Sequence, residues 1–211
     1  MEFKDALFDA LRRMDGEASV EKDGYPTGLA WYGGYFRPEC VRPPTETSWT
    51  RRLAQLLPEY GFPTRAEVPY PAAPRCRCDN VVTLPGGGRL WLENKGAWKD
   101  YWVRKGGVGI YRAYLLHPLV PNLQPKGHTV PLDLKKLDPL GAPDAEAVGF
   151  LLLGFDAAAQ PMDGDVAEMA GLAGLDRAPW VGASTTWDDR YRPGCRVLCW
   201  YWQRTVEVIG S

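Results

Sequence analysis

The sequence predicts an α/β (α+β) protein with a mixed central sheet flanked by helices, and three observations lead to this prediction. Apolar residues near the N-terminus recur with helical spacing. Three short runs in the middle of the chain are bounded by Pro and Gly, and one of them is rich in β-branched residues, as strands are. Residues 147–155 form a continuous apolar run typical of a strand buried on both faces.

Length and composition indicate one globular domain over residues 1–211. The chain is 45% hydrophobic and 24% charged, with a net charge of −1. Its longest apolar run is too short to cross a bilayer, which takes about 20 residues. The N-terminus carries early acids and lacks the apolar core of a secretory signal. We therefore expect a cytoplasmic protein with no membrane partner.

Helices are predicted at two places in the first 60 residues. An amphipathic helix opens the chain, with its apolar face formed by Phe3, Leu7, Ala10, Leu11 and Met14. Residues 16–44 are rich in Gly, Pro and aromatics, which predicts a loop-rich connection. Pro43 and Pro44 prevent helix before Thr45. Thr45 or Thr47 can then cap a second helix that runs to about Leu57.

Strands are predicted at 65–70, 78–84 and 89–95, and the last two form a hairpin around a Pro-Gly-Gly-Gly turn. This turn is not a phosphate-binding loop, because it lacks the Gly-Lys-Ser/Thr ending and leads into a strand. The later elements are predicted from the same patterns: helical segments at 98–105, 110–116, 132–137 and 166–175, and strands at 147–155 and 195–208.

The charge is distributed unevenly along the chain. Residues 37–112 contain 13 Lys and Arg against seven Asp and Glu, although the whole chain is slightly acidic. A basic region around a few acids is what a polyanion-binding site needs. Ordinary surface lysines and arginines are the alternative explanation.

Acidic and basic residues cluster at the open end of the predicted hairpin. Alternate residues of a strand share a face, so Glu93 and Lys95 point the same way and Asn94 points the other way. Asp79 begins the partner strand, and the hairpin can bring it close to Glu93. Charges on an interior strand are costly unless they are used. The alternative is a surface ion pair.

A further acid, Glu46, falls on the apolar stripe of the second helix with Trp49, Leu53 and Leu57. Its side chain is therefore predicted to project toward the core. The alternative is a favourable interaction with the helix dipole, because acids are common in a first helical turn.

The order of these elements and acids resembles the PD-(D/E)xK nuclease superfamily. Glu46, Asp79 and Glu93-Asn94-Lys95 match its helix acid, its second-strand acid and its acid-x-Lys, in that order. The resemblance covers residues 45–156 and implies a restriction-endonuclease-like core, to which 1–44 and 157–211 are additions. Cys78 stands before Asp79 where the motif has proline.

The resemblance implies a metal-dependent endonuclease that hydrolyses phosphodiester bonds in DNA, in preference to RNA. Asp79, Glu93 and the backbone carbonyl of Asn94 would hold Mg²⁺, or Mn²⁺ in its place, and Glu46 would complete the set of ligands. Lys95 would orient the attacking water or stabilise the charged phosphate. Restriction, repair or phage defence would be the setting.

Four cations that follow the motif, Lys99, Arg104, Lys105 and Arg112, are predicted to grip backbone phosphates. Trp98 and Trp102 could stack on an unpaired base, but core packing is favoured. No role is assigned to His117 or His128.

Two other interpretations remain open from the sequence. One is a non-catalytic module that binds nucleic acid or protein on the same fold. The other is an unrelated α/β protein in which Asp79 and Glu93 lie far apart. A second copy of the chain or a partner protein would supply sequence specificity, since few base-reading elements are evident.

The spacings Cys76-x-Cys78 and Cys195-x3-Cys199 fit no usual zinc site, which favours reduced thiols.

Overall fold

Six strands form one mixed β-sheet with helices on both faces in the computed structural model of the protein. The structure describes residues 1–17, 46–104, 106–123, 129–137, 146–189 and 193–206. The strands are β1 (Thr64–Tyr70), β2 (Ala73–Thr83), β3 (Arg89–Trp98), β4 (Ala147–Ala157), β5 (Val181–Asp188) and β6 (Cys195–Thr205). The α/β class and the mixed sheet predicted from the sequence are confirmed.

Six α-helices surround the sheet in the described part of the chain. They are α1 (Phe3–Glu17), α2 (Glu46–Leu56), α3 (Lys99–Arg104), α4 (Val108–Leu116), α5 (Val130–Leu134) and α6 (Asp163–Ala173). Short 3₁₀ turns follow α2 and α5, at Leu57–Tyr60 and Lys135–Leu137. None of the described helices is long and apolar enough to cross a membrane.

The strands lie in the order β1-β2-β3-β4-β6-β5. Only β3 and β4 are parallel, and every other neighbouring pair is antiparallel. A parallel pair needs a crossover connection, and the chain between β3 and β4 supplies it with α3, α4 and α5. The crossover carries these helices over one face of the sheet.

The opposite face is covered by α1 and α2. The predicted stripe of α1 is buried along its whole length, as are Trp49, Leu53 and Leu57 from α2 and the turn after it. These side chains pack on sheet residues such as Leu92 and Leu153. Alternate residues of the same strands, such as Trp91 and Leu152, pack on the crossover face with α4 and α6. The central strand β4 is buried on both faces, as its continuous apolar run predicted.

Three strands differ from the prediction. β2 begins at Ala73 rather than near 78, since pairing with β1 extends it through an exposed segment that has no apolar alternation. β3 continues through Gly96 to Trp98 because β4 pairs with it throughout. A Cβ atom at Gly96 would lie 2.4 Å from the Trp98 indole, so the close approach requires glycine. β5 was not predicted, because it is a largely exposed edge strand of small and polar residues.

Candidate functional site

Strands β2 and β3 separate at the predicted acids. In the described chain they pair from Thr83↔Arg89 to Asn80↔Leu92, after which β3 pairs with β4 alone. One step further along, Asp79 lies across from Glu93. Here the Asn94 N–H donates a hydrogen bond of 2.8 Å to Oδ2 of Asp79. The two acids therefore lie close together on neighbouring strands. An unrelated α/β protein, the last alternative from the sequence, would have placed them far apart.

Glu93 is held from two sides in the crossover-face core. Its side chain is 1% exposed. The Tyr70 hydroxyl donates to Oε1 at 2.6 Å, and Nζ of Lys136 donates to Oε2 at 3.2 Å. The Tyr70 ring stacks on Trp91, with centroids 5.2 Å apart. These contacts fix the carboxylate in one orientation, toward the 3₁₀ turn that follows α5.

Lys95 shares that face, as strand alternation predicted. Its Nζ lies 2.6 Å from Oδ2 of Asp133, and Nζ of Lys136 lies 2.5 Å from Oδ1 of the same carboxylate. Lys136 thus bridges Glu93 and Asp133. We call Asp79, Glu93, Lys95, Asp133 and Lys136 the acid–lysine cluster. Three carboxylates and two ammonium groups meet in it, whereas the sequence had indicated two carboxylates and one ammonium group.

A polar network lies behind the cluster, on the opposite face of the sheet. Nδ2 of Asn94 donates to Oδ1 of Asn80 at 2.6 Å and to Oγ1 of Thr50 at 3.2 Å. Nδ2 of Asn80 donates to the Thr50 carbonyl at 3.2 Å. This network joins α2 to β2 and β3. Thr50 lies one helical turn after Glu46, which begins α2, but the side chain of Glu46 lies outside the described residues.

Burial dominates the electrostatics of the cluster. Loss of solvent and, to a smaller extent, the negative charge of Asp79 raise the pKa of Glu93 to about 8 against the opposing effect of Lys136. Burial likewise raises the pKa of Asp79 to about 6, although the Asn94 N–H and Lys136 favour its charged form. For Asp133, burial acts upward but the ammonium groups of Lys95 and Lys136 prevail, so its pKa is lowered.

These shifts predict how stability depends on pH. Glu93 and Asp79 have folded pKa values above their ordinary values of 4.5 and 3.8, so the folded state binds more protons than the unfolded state between about pH 4 and 8. Their contribution to the free energy of unfolding therefore decreases as pH rises through this window. Glu93→Gln is expected to remove most of that decrease above pH 6, in urea unfolding measured at several pH values with EDTA. If the free energy of unfolding of the variant decreased above pH 6 as steeply as that of the wild type, the raised pKa of Glu93 would be contradicted.

The oxygen donors suit a hard divalent cation, but the described side chains are not arranged around one. Asp79 and Glu93 offer carboxylates of the kind that Mg²⁺ prefers. No described group of three or more His, Cys, Asp and Glu residues has a geometry that could hold a metal ion. In this arrangement the ammonium of Lys136 lies between the carboxylates of Glu93 and Asp133.

Two of the four cations predicted to bind phosphates, Lys99 and Arg112, face α6. Nζ of Lys99 lies 2.6 Å from Oδ2 of Asp165 and donates to the Pro161 carbonyl at 2.7 Å. Arg112 pairs with Glu168 at 2.7 Å. Lys105 and the side chain of Arg104 lie outside the described residues. The two described cations therefore have carboxylate partners within the fold.

Aromatic residues after the motif pack in the core, which was the favoured interpretation. Trp98 stacks on Phe155 with centroids 5.8 Å apart, and Trp102 packs on the crossover-face core. The His117 carbonyl accepts a hydrogen bond from Thr129, and His128 lies outside the described residues.

The four described cysteines, at positions 76, 78, 195 and 199, form no disulfide with one another. They lie on β2 and β6, two strands that β3 and β4 separate, which agrees with the preference for reduced thiols.

Sequence reasoning missed Tyr70, Asp133 and Lys136. Asp133 and Lys136 are spaced i,i+3 in a short helical segment that had been predicted, so their shared side was accessible from the sequence. Nothing local indicated that this side faces β3. Tyr70 ends a strand before Pro71, and nothing in the local sequence distinguishes it from an ordinary strand aromatic.

Comparison of the chain with protein-family models, with curated proteins and with solved structures finds no match.

Proposed function

We propose that the protein is a metal-dependent endonuclease of the PD-(D/E)xK type that hydrolyses phosphodiester bonds in DNA. The observation that carries this proposal is the meeting of Asp79, Glu93 and Lys95 at the point where β2 and β3 separate, with Asp79 fixed by the Asn94 N–H. A nuclease of this type needs two carboxylates and an ammonium group around one phosphate. The three side chains have the required chemistry on two adjacent strands.

The order of elements supports the same proposal. A helix (α2), an antiparallel three-strand meander (β1 to β3), a helical crossover and a parallel strand (β4) follow one another. This order is the one that the PD-(D/E)xK resemblance implies for a restriction-endonuclease-like core. The additions to this core are α1, which precedes it in the chain, and α6, β5 and β6, which follow it.

In the proposed reaction, Asp79 and Glu93 would hold Mg²⁺, together with the backbone carbonyl of Asn94 and with Glu46. The ion would supply a water of lowered pKa and neutralise charge on the phosphate. Tyr70 orients the Glu93 carboxylate. Lys95 would exchange Asp133 for a non-bridging phosphate oxygen and stabilise the charge that develops there. Lys136 would move away from Glu93, so that Oε2 of Glu93 could bind the metal ion.

The test is a cleavage assay with purified protein on supercoiled plasmid, linear duplex DNA, single-stranded DNA and RNA, each with Mg²⁺, Mn²⁺ or EDTA. We expect Mg²⁺- or Mn²⁺-dependent cleavage of DNA and none with EDTA. Nicking or linearisation of the closed plasmid would identify an endonuclease. A lack of cleavage of every substrate with either metal would contradict the proposal.

One observation favours a second candidate, a nucleic-acid-binding module without catalysis. Both ammonium groups of the acid–lysine cluster already have carboxylate partners, so neither is positioned to stabilise the charge of a reacting phosphate. Such a module would bind DNA with an affinity that falls steeply with salt and would leave the DNA intact. The assay above separates the two candidates when binding is measured on the same samples.

A further inference from the structure

The hairpin between β1 and β2 extends past the point where β3 departs. We call residues 70–77 the arm. Residues 73–77, the first five of β2, are all exposed. In the described chain Ala73 and Arg77 pair with β1, with a register shift between them, and none of the five pairs with β3. Asp79 follows two residues later, at the beginning of the acid–lysine cluster. The arm therefore forms an open strand that leads directly to the proposed catalytic acids.

Two arginines of the arm lie close in sequence to the proposed catalytic aspartate. Arg75 and Arg77 precede Asp79 by four and two residues on β2, and both are exposed, although a register shift interrupts the pairing with β1 between Ala73 and Arg77. A phosphodiester chain lying along the strand would meet one positive group after another before it reaches Asp79. The arm contains no acidic residue that would repel it.

The arginines have donors available for such a contact. Nη1 of Arg77 donates to the Glu67 carbonyl at 2.7 Å, which anchors the side chain on β1. A guanidinium group has five N–H donors, so others remain. Arg75 is exposed and makes no ion pair with a described carboxylate. This differs from Lys99 and Arg112, which pair with Asp165 and Glu168 of α6.

We propose that the arm binds the phosphodiester backbone of nucleic acid through Arg75 and Arg77 and guides it toward Asp79. The proposal rests on the proposed nuclease function and gives that site its substrate-binding surface. It also places the main phosphate contacts on the β1–β2 hairpin, whereas the sequence had indicated the helices of the crossover. Contacts of this kind position the substrate without reading its sequence.

The test is the binding of fluorescently labelled DNA, as a duplex and as a single strand, by fluorescence anisotropy in EDTA. Without metal, binding is measured apart from cleavage. The variant Arg75→Ala/Arg77→Ala is compared with the wild type and with Arg177→Ala. Arg177 is an exposed arginine that precedes β5, at the other edge of the sheet. Thermal unfolding of all three proteins shows whether they are equally folded.

We expect the arm variant to bind more weakly and with less dependence on salt. Each lost phosphate contact lowers the slope of log K against log salt concentration by about 0.7 to 0.9, so the double variant should lose about 1.4 to 1.8. Arg177→Ala should keep the wild-type slope. An unchanged slope in the arm variant, or an equal loss in Arg177→Ala, would overturn the proposal, as would a wild type that binds no DNA at low salt.

Cleavage of plasmid with Mg²⁺ by the same proteins keeps this proposal distinct from the nuclease function. If the wild type cleaves and the arm variant binds and cleaves equally well, the arm proposal fails and the nuclease function stands. If binding depends on the arm but no protein cleaves, the nuclease function fails and the arm remains a binding surface. If both proposals hold, the arm variant should show a raised KM and a nearly unchanged kcat, because Asp79, Glu93 and Lys95 are intact.

Discussion

Replacing Glu93 by glutamine is expected to lower the rate of Mg²⁺-dependent DNA cleavage by about 10²- to 10³-fold or more. The neutral amide keeps the shape of the side chain and can still accept the hydrogen bond from Tyr70. It cannot supply the negative charge that a divalent cation needs, and removal of one electrostatic group from a reacting centre has an effect of this size. The measurement is the initial rate of plasmid cleavage with Mg²⁺.

Asp79→Asn and Lys95→Ala should give losses of similar size, since each removes a different charged group from one centre. Glu59→Gln is the matched control, because Glu59 forms an exposed ion pair with Arg13, well outside the acid–lysine cluster. The control should cleave at the wild-type rate. Wild-type cleavage by Glu93→Gln, Asp79→Asn and Lys95→Ala alike would mean that the reaction takes place elsewhere on the protein.

Asp133→Ala is expected to lower the free energy of unfolding by about 3 to 5 kcal/mol at pH 7, which is typical for removal of one partner of a buried ion pair. The side chains of Asp133 and Lys95 are 3% and 11% exposed, and their charged atoms lie 2.6 Å apart. The variant removes the carboxylate that pairs with the Lys95 ammonium and with the Lys136 ammonium. Urea unfolding of the wild type and the variant gives the difference directly.

The control for this prediction is Glu168→Ala, which removes the carboxylate partner of Arg112. That pair is 47% and 38% exposed, so its loss should cost less than about 1 kcal/mol. Lys95→Met/Asp133→Leu is expected to recover most of the stability, since apolar side chains can replace a buried pair at little cost. An Asp133→Ala variant no less stable than Glu168→Ala would show that the cluster is open to water.

The elements that the sequence predicted well are those with a regular local pattern. The apolar stripe of α1 and the continuous apolar run of β4 correspond to one buried face and two buried faces, respectively. β5 and the first half of β2 lack such a pattern, because both are exposed and owe their strand geometry to pairing with a neighbour. Strand pairing joins distant residues, so local periodicity cannot show it.

The same division applies to the site. Alternation along one strand was sufficient to put Glu93 and Lys95 on one face with Trp91, and the short hairpin was sufficient to bring Asp79 near them. These relations span fewer than about 20 residues and follow from backbone geometry alone, so the sequence by itself determined them.

Only the tertiary structure decided what surrounds these residues. Asp133 and Lys136 reach Glu93 and Lys95 because the crossover folds α5 back over β3, and Tyr70 reaches Glu93 across two strands. Likewise, the packing of α6 against α4 gives Arg112 its carboxylate partner. The arginines of the arm, by contrast, are exposed. The physical reason is that an ion pair depends on distance in space, and the packing of the elements sets that distance between residues far apart in the chain.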